Sequence, residues 1–283
     1  MYLVIDIGGT KTLIALFNSR GRVIKKYKFK TPASRSEFLG ILKSALIPFS
    51  DVYAEKIHLK TGVRSPSRHP RQINHVIIAI PGQVEHNIAT KFGNRPWKNL
   101  NLAHELKKLF TAPITLKNDA DLATIYESTF HRGRSLYLTF STGIGGGIAS
   151  RGQLAKNSSS VEPGHIRYIF NNSNLEWEDI ASCNAIGTAY GVQATSVRGQ
   201  AAYSDIAFRV SIGLPHLIQK YHPDVIIIGG PLALLFPHFK SALRINIRRF
   251  LPHTKKLPRI IAAKRPKESV IYGGYTYAKK LRA

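Results

Sequence analysis

Two segments of the chain follow one plan, and that plan constrains the fold more than any other feature. Near the N-terminus, "YLVIDIG" is an apolar run ending at a Gly pair, and "TLIALFN" follows as a second run. After the turn "SRGR", the segment "VIKKYKFK" alternates. A short apolar run bounded by glycine has the pattern of a buried strand, and alternation marks a half-exposed one. The spacing predicts an antiparallel three-strand meander. "SLYLTFSTGIGGGIASRGQLA", from Ser135, repeats it: strand, Gly/Thr turn, strand, Arg-Gly turn. In the first copy, residues 34–47 have helical spacing (Phe38, Leu39, Leu42, Leu46) before the strand "HVIIAIPG". Residues 101–110 then read as a helix before "PITLKND". In the second copy a helical stretch around 203–220 precedes "DVIIIGG". This duplication predicts an α/β protein of two lobes with a cleft between them. The boundary is placed near Lys117, giving a small lobe over 1–117 and a large one over 118–269. "SVIYGGYTYAKKLRA" has helical spacing after its glycines, and a helix over about 270–283 is expected to pack back on the first lobe.

Composition narrows the class. A chain of 283 residues is long enough to bury a sizeable core. No apolar run approaches the roughly 18 residues a membrane helix needs, and "MYLVIDIGG" lacks the basic region of a signal peptide. The expectation is a cytoplasmic protein with no membrane partner. The single cysteine, Cys183, excludes an internal disulfide and a multi-cysteine zinc site. The net charge is +25, and residues 240–283 hold 13 Lys/Arg against one acid, Glu268. Such a surface attracts polyanions or is simply a basic exterior. Dispersed Lys/Arg with few interleaved aromatics is no recognised nucleic-acid module, so no specific nucleic-acid partner is expected.

Glycines after buried strands let backbone N–H groups approach an anion. Three such turns occur: "DIGGTKT" with Asp6, Gly8, Gly9, Thr10 and Lys11; "STGIGGG" with Thr142 and Gly143; and "IIIGGP" with Gly229 and Gly230. Each alone reads more readily as a tight turn. The chain has no Walker A loop and no Gly-x-Gly-x-x-Gly after its first strand, so a dinucleotide fold is not indicated. Equivalent turns in duplicated halves suit a clamp on the phosphates of one nucleotide, with Asp6 holding the shell of a magnesium ion. Two further stretches carry polar groups. In "LKNDADLATIYES", Asn118 and Asp119 stand where a strand end opens a helix; they read as a helix N-cap or as reactive groups. "EPGHIRYIFNNSNLEWEDIAS" gathers Glu162, His165, Glu176 and Glu178, which suit a metal site, an acid/base pair or a grip on a polar ligand.

Taken together, "IDIGGTKT", "AIPGQV", "NDADLATIYE", "STGIGGG", "EPGH" and "WEDIAS" occur in the order and approximate spacing of the ROK family (repressors, open reading frames, kinases). The chain resembles that family from Met1 to about residue 280. The resemblance implies two ribonuclease-H-like lobes of the actin-like ATPase superfamily, with ATP and Mg2+ as cofactors. It also implies that Asp119 is the general base, which takes the proton of a sugar hydroxyl attacking the γ-phosphate. Asn118, Glu162, His165 and Glu178 match the sugar contacts, and Thr90 aligns loosely with the same pocket. Glu178 matches the family's downstream Glu because "EDIASCNAI" keeps its spacing, which leaves Glu176 outside the set. Family members carry a Cys-x-Cys-x4-Cys run after the His, with that His as a zinc ligand. Here the run is missing and the segment is shortened, so no structural zinc is expected and no metal ligands are assigned. Asp121 stands where the family usually has Asn, and Ser141 where it has Gly.

The resemblance points first to an ATP-dependent sugar kinase acting on a hexose or N-acylhexosamine, at the 6-hydroxyl. A sugar-responsive regulator is the second reading, but the chain opens on the first strand of the ATPase fold, without room for a winged helix-turn-helix. A non-catalytic sugar sensor, binding nucleic acid without sequence preference, is the third; such a protein has no need of the polar set. The family often forms dimers, so the resemblance also admits a homodimer.

Overall fold

The computed structural model describes residues 1–50, 72–93, 95–156, 158 and 161–281. They form two compact units, Met1–Leu122 with Val270–Ala283, and Ala123–Ser269. The division falls within a helix that begins at Asp119, just after the strand containing Lys117.

In the first unit, β1 (Tyr2–Ile7), β2 (Lys11–Phe17) and β3 (Val23–Lys30) form the predicted meander, with β4 (His75–Ile80) parallel to β1. A small antiparallel sheet follows, made of β5 (Gly82–Glu85), β6 (Ile88–Phe92) and β7 (Arg95–Leu100). β8 (Ile114–Asn118) then completes the main sheet, in the order β3-β2-β1-β4-β8. The buried faces of β1 and β2 pack on α1 (Arg35–Leu46), which inserts Phe38, Leu42 and Leu46. Ser34 caps α1 by accepting from the Glu37 N–H. The helix expected over 101–110 is shorter: α2 spans Leu102–Leu106, and the Leu109 N–H turns back to the Leu106 carbonyl. Tertiary burial accounts for this, because Leu102, Leu106 and Phe110 already fill the core from one turn of helix and a bend. The small sheet was not anticipated. Its strands are short, and left-handed residues at His86, Asn87 and Gly93 break the alternation.

The second unit opens on the rest of α3 (Asp119–Ser128) and repeats the sheet. β9 (Ser135–Phe140), β10 (Ile144–Ser150) and β11 (Gln153–Leu154) are antiparallel. A hairpin, β12 (Arg167–Phe170) and β13 (Ser173–Glu176), leads into α4 (Trp177–Ala181) and α5 (Cys183–Tyr190). α6 (Gln200–Tyr221) precedes β14 (Val225–Gly229), and α7 (Phe236–Phe250) precedes β15 (Arg259–Ala262). β14 and β15 add in parallel, giving the order β11-β10-β9-β14-β15. Three antiparallel strands followed by two parallel ones thus recur in both units; the repeated meander and β14 were expected from the sequence, whereas α7 and β15 were not.

The buried carboxylate of Glu127 holds the end of this unit. It accepts from the N–H groups of Lys264 (2.8 Å) and Arg265 (3.1 Å) and from Ser269 Oγ (2.6 Å). α8 (Ser269–Lys280) follows and carries the chain back into the first unit. It includes Gly273 and Gly274, in keeping with the helix expected over about 270–283. Bare Cα atoms are needed there, because Gly273 lies against the Leu122 carbonyl and Gly274 against the Val4 side chain. Among the described residues no helix is long and apolar enough to cross a membrane.

Candidate functional site

Every residue of β1 from Tyr2 to Ile7 is buried except Asp6, which is partly exposed. The turn after it is closed by backbone bonds: Gly8 N–H donates to the Lys11 carbonyl (2.9 Å) and Thr31 N–H to the Thr10 carbonyl (3.0 Å). Thr31 Oγ1 donates to the Gly8 carbonyl at 2.9 Å. Arg95, which no motif singles out, donates to the carbonyls of Gly9 and Thr31, and its guanidinium lies over Trp97. These bonds order a turn whose Gly9, Thr10 and Lys11 remain exposed.

Asp119 is the first residue of α3, and one of its oxygens accepts from the Ala120 N–H at 2.7 Å. Asn118 does the capping: its Oδ1 accepts from the Asp121 N–H (3.0 Å), and its Nδ2 donates to the Gly82 carbonyl (2.8 Å). The N-cap reading of this pair is therefore realised by Asn118. Gly82 has φ 106°, with Lys91 and Gly93 backbone where a side chain would stand, so "AIPG" ends in a residue only glycine fills without strain. Thr90 Oγ1 donates to the Gln83 carbonyl at 3.4 Å.

Asp6 and Asp119 interact electrostatically. Burial raises Asp119 to about 6, with Asp121 adding repulsion against backbone hydrogen bonds that lower it. Burial, then the Asp119 charge, raises Asp6 to about 8. The repulsion falls on Asp6 because Asp119 ionises first. Two carboxylates held in this state form a site whose electrostatic cost a divalent cation would relieve.

In the second unit, Thr142 and Gly143 lie in the turn between β9 and β10, where Ser141 N–H donates to the Gly143 carbonyl (2.9 Å). Glu178 occupies the space beside this turn. Its Oε2 accepts from the Ile144 N–H at 3.3 Å and lies where a Cβ at Gly143 or Gly164 would stand. The glycines of "STGIGGG" and "EPGH" thus make room for one carboxylate. Gly229 and Gly230 are both buried: the Tyr137 ring covers Gly229, and Gly230 adopts φ 71° beside the Phe140 carbonyl. The Cys183 thiol donates to the Phe140 carbonyl, and burial pushes it up to about 11, so it stays protonated at neutral pH.

Pro163–His165 form a single 3-10 turn, with Glu162 before it. His165 Nε2 lies 3.8 Å from Glu162 Oε2, and its Nδ1 lies 2.8 Å from Glu176 Oε2. The sequence reading left Glu176 out, yet it is the nearest acid to His165. The overlooked signal is Asn171-Asn172, whose φ of 49° and 60° makes the turn of the β12–β13 hairpin. That hairpin returns Glu176 to His165. The Glu176 hydrogen bond raises the His165 pKa, with Glu178 and Glu162 adding, while burial opposes them. Among the described residues, one group of His and carboxylates lies close enough to share a cation: His165, Glu176 and Glu178, with ligating atoms within 4.8 Å of one another. It has no thiolate, and its imidazole Nδ1 already contacts a carboxylate directly.

The ROK family model matches residues 2–280. A glucokinase of Streptomyces coelicolor is 23% identical, with 81% of each chain covered. A xylose repressor of Bacillus spizizenii is also 23% identical, over 60% of this chain and 51% of that one. Among solved structures, a ROK glucokinase of Streptomyces griseus in complex with glucose and AMPPNP superposes with a TM-score of 0.78 at 20% identity, covering 99% of both chains. Its fold is that of this chain, and with the family model spanning nearly all residues, the chain belongs to the ROK family.

Proposed function

We propose that the protein is an ATP-dependent sugar kinase that phosphorylates a hexose or N-acylhexosamine at its 6-hydroxyl. Asp119 carries this reading: a carboxylate at the N-terminus of α3, raised to about 6, which is ionised at neutral pH yet basic enough to accept a proton. As the hydroxyl oxygen attacks the γ-phosphorus, its proton passes to Asp119. The bond from the γ-phosphorus to the bridging oxygen breaks, and ADP leaves. Catalysis of this kind is mostly positioning and charge neutralisation. Mg2+, when bound, would neutralise the phosphate oxygens, and Asp6 would hold its shell. The backbone of Gly8 to Lys11, Thr142–Gly143 and Gly229–Gly230 is assigned to the nucleotide. Glu162, His165 and Glu178 are assigned to the sugar hydroxyls, since carboxylates accept from adjacent hydroxyls and an imidazole nitrogen without its proton accepts as well. Asn118 is also assigned to the sugar, with one amide hydrogen not engaged by Gly82.

The test is ADP release over a panel of glucose, fructose, mannose, N-acetylglucosamine and N-acetylmannosamine, followed by location of the new phosphate by NMR. Phosphorylation of one of them at the 6-position supports the reading. Sugar binding without ADP release from any of them overturns it in favour of a sugar-responsive regulator, a reading that similarity to the xylose repressor keeps in play.

A further inference from the structure

The contact between His165 and Glu176 has a role that the sugar assignments do not use. The His165 side chain is 46% exposed, and nothing in its own 3-10 turn fixes the ring. A histidine χ2 is broad and roughly two-fold, so an unsupported ring would present either nitrogen. Glu176 removes that freedom. An ionised carboxylate only accepts, so its 2.8 Å contact places the proton on Nδ1 and turns Nε2 the other way. Nε2 then stands 3.8 Å from Glu162 Oε2. This exceeds a direct hydrogen bond, so both atoms stay available to a third group.

Glu176 is itself held. It pairs in register with Arg167 across the β12–β13 hairpin, and Arg167 Nη1 lies 3.6 Å from its Oε1. The next residue, Trp177, is fully buried; its N–H donates to the Ile166 carbonyl (2.9 Å) and its Nε1 to the Arg209 carbonyl (3.1 Å). The support for Glu176 is therefore a hairpin on one side and a buried indole on the other.

We propose that Glu176 is a positioning residue that holds the His165 ring so that Nε2, beside Glu162, is presented to a sugar hydroxyl. This rests on the sugar-binding role given to His165 above. Glu176 acts through His165 and touches no substrate.

Steady-state kinetics of four variants test it: Glu176→Ala, Glu176→Gln, His165→Ala and the double variant His165→Ala/Glu176→Ala. Glu176→Ala is expected to raise the sugar KM about tenfold, the size of one lost hydrogen bond to a charged group, with the ATP KM unchanged. Glu176→Gln keeps a carbonyl acceptor for Nδ1 and should recover most of that loss. The double variant should be no worse than His165→Ala alone. An unchanged sugar KM in Glu176→Ala, or effects that multiply in the double variant, would overturn the proposal. If the alanine variant does not fold, Glu176→Leu fills the same space without an acceptor and takes its place. Should the wild-type chain phosphorylate no sugar, the kinase reading fails, and nitrogen-15 NMR of His165 still decides the role of Glu176. A single Nδ1-protonated tautomer that becomes a mixture in Glu176→Ala supports it, and an unchanged tautomer ratio rejects it. A stoichiometric metal lost in Glu176→Ala would also reject it, by making Glu176 a ligand.

Discussion

Two clusters of acids, Asp6 with Asp119 in the first unit and Glu176 beside His165 in the second, use their charge in opposite ways. In the first, burial is the largest influence on Asp6 and Asp119, and both have raised pKa values. In the second, Glu176 is shared between His165 and Arg167, and it is the histidine whose proton affinity rises. The first arrangement stores repulsion that a proton or cation relieves. The second spends its charge on orientation. The difference comes from placement, because a carboxylate beside a buried strand end has only backbone N–H groups to meet, whereas one on an exposed hairpin can reach basic side chains.

Asp119→Asn should break the comparison most sharply. It removes the base while keeping the shape, and turnover should fall by about 10²–10⁴-fold with sugar binding largely retained, as read by initial rates and calorimetry. Undiminished turnover would remove Asp119 from the mechanism. Next in size is the pH profile of kcat/KM for the sugar, which should rise with pH through about 6 as Asp119 loses its proton. A profile flat from pH 5 to 8 would contradict it.

A smaller effect lies in stability without added cation. The folded-state pKa of Asp6 is raised from 3.8 to about 8, so its protonated form stabilises the fold at low pH. That contribution is complete below 3.8 and is lost as pH rises through about 8. Asp6→Asn should therefore gain Tm over the wild type progressively between pH 4 and pH 8 and hold the gain above that; a gain largest at low pH would reverse the sign. Smallest of all, chelation followed by metal analysis should leave Tm unchanged and find no stoichiometric zinc. A zinc-dependent Tm would turn the His165 cluster from an orienting device into a metal centre.

The first five-stranded sheet and the strands β9, β10 and β14 of the second were legible, most of them as buried runs such as "YLVIDIG" and "SLYLTF" ended by glycine; β15, "RIIA", went unread because it is four residues long with no glycine at its ends. The sheet β5–β7 and the hairpin β12–β13 were not legible, because strands such as "GQVE" and "SNLE" lack an apolar run and are identified by their turns. The order of motifs led to Asp119, Glu162, His165 and Glu178 as candidates. Two residues beside the candidate site escaped that reading because their contacts are set by long-range folding that motif spacing does not carry: Arg95 reaches the turn carbonyls of Gly9 and Thr31, and the β12–β13 register brings Glu176 to His165.

The exposed strand β3 has a consequence for how the molecule behaves in company. It is the outer strand of its sheet, and Lys25, Lys26, Lys28 and Lys30 all stand exposed along its eight residues. An unpaired strand edge is a template for the edge of another chain, and a row of ammonium groups is among the ways proteins blunt it. A second copy approaching this edge would bring the same four lysines and be repelled. That repulsion is strongest in dilute salt and weakens as ions screen it.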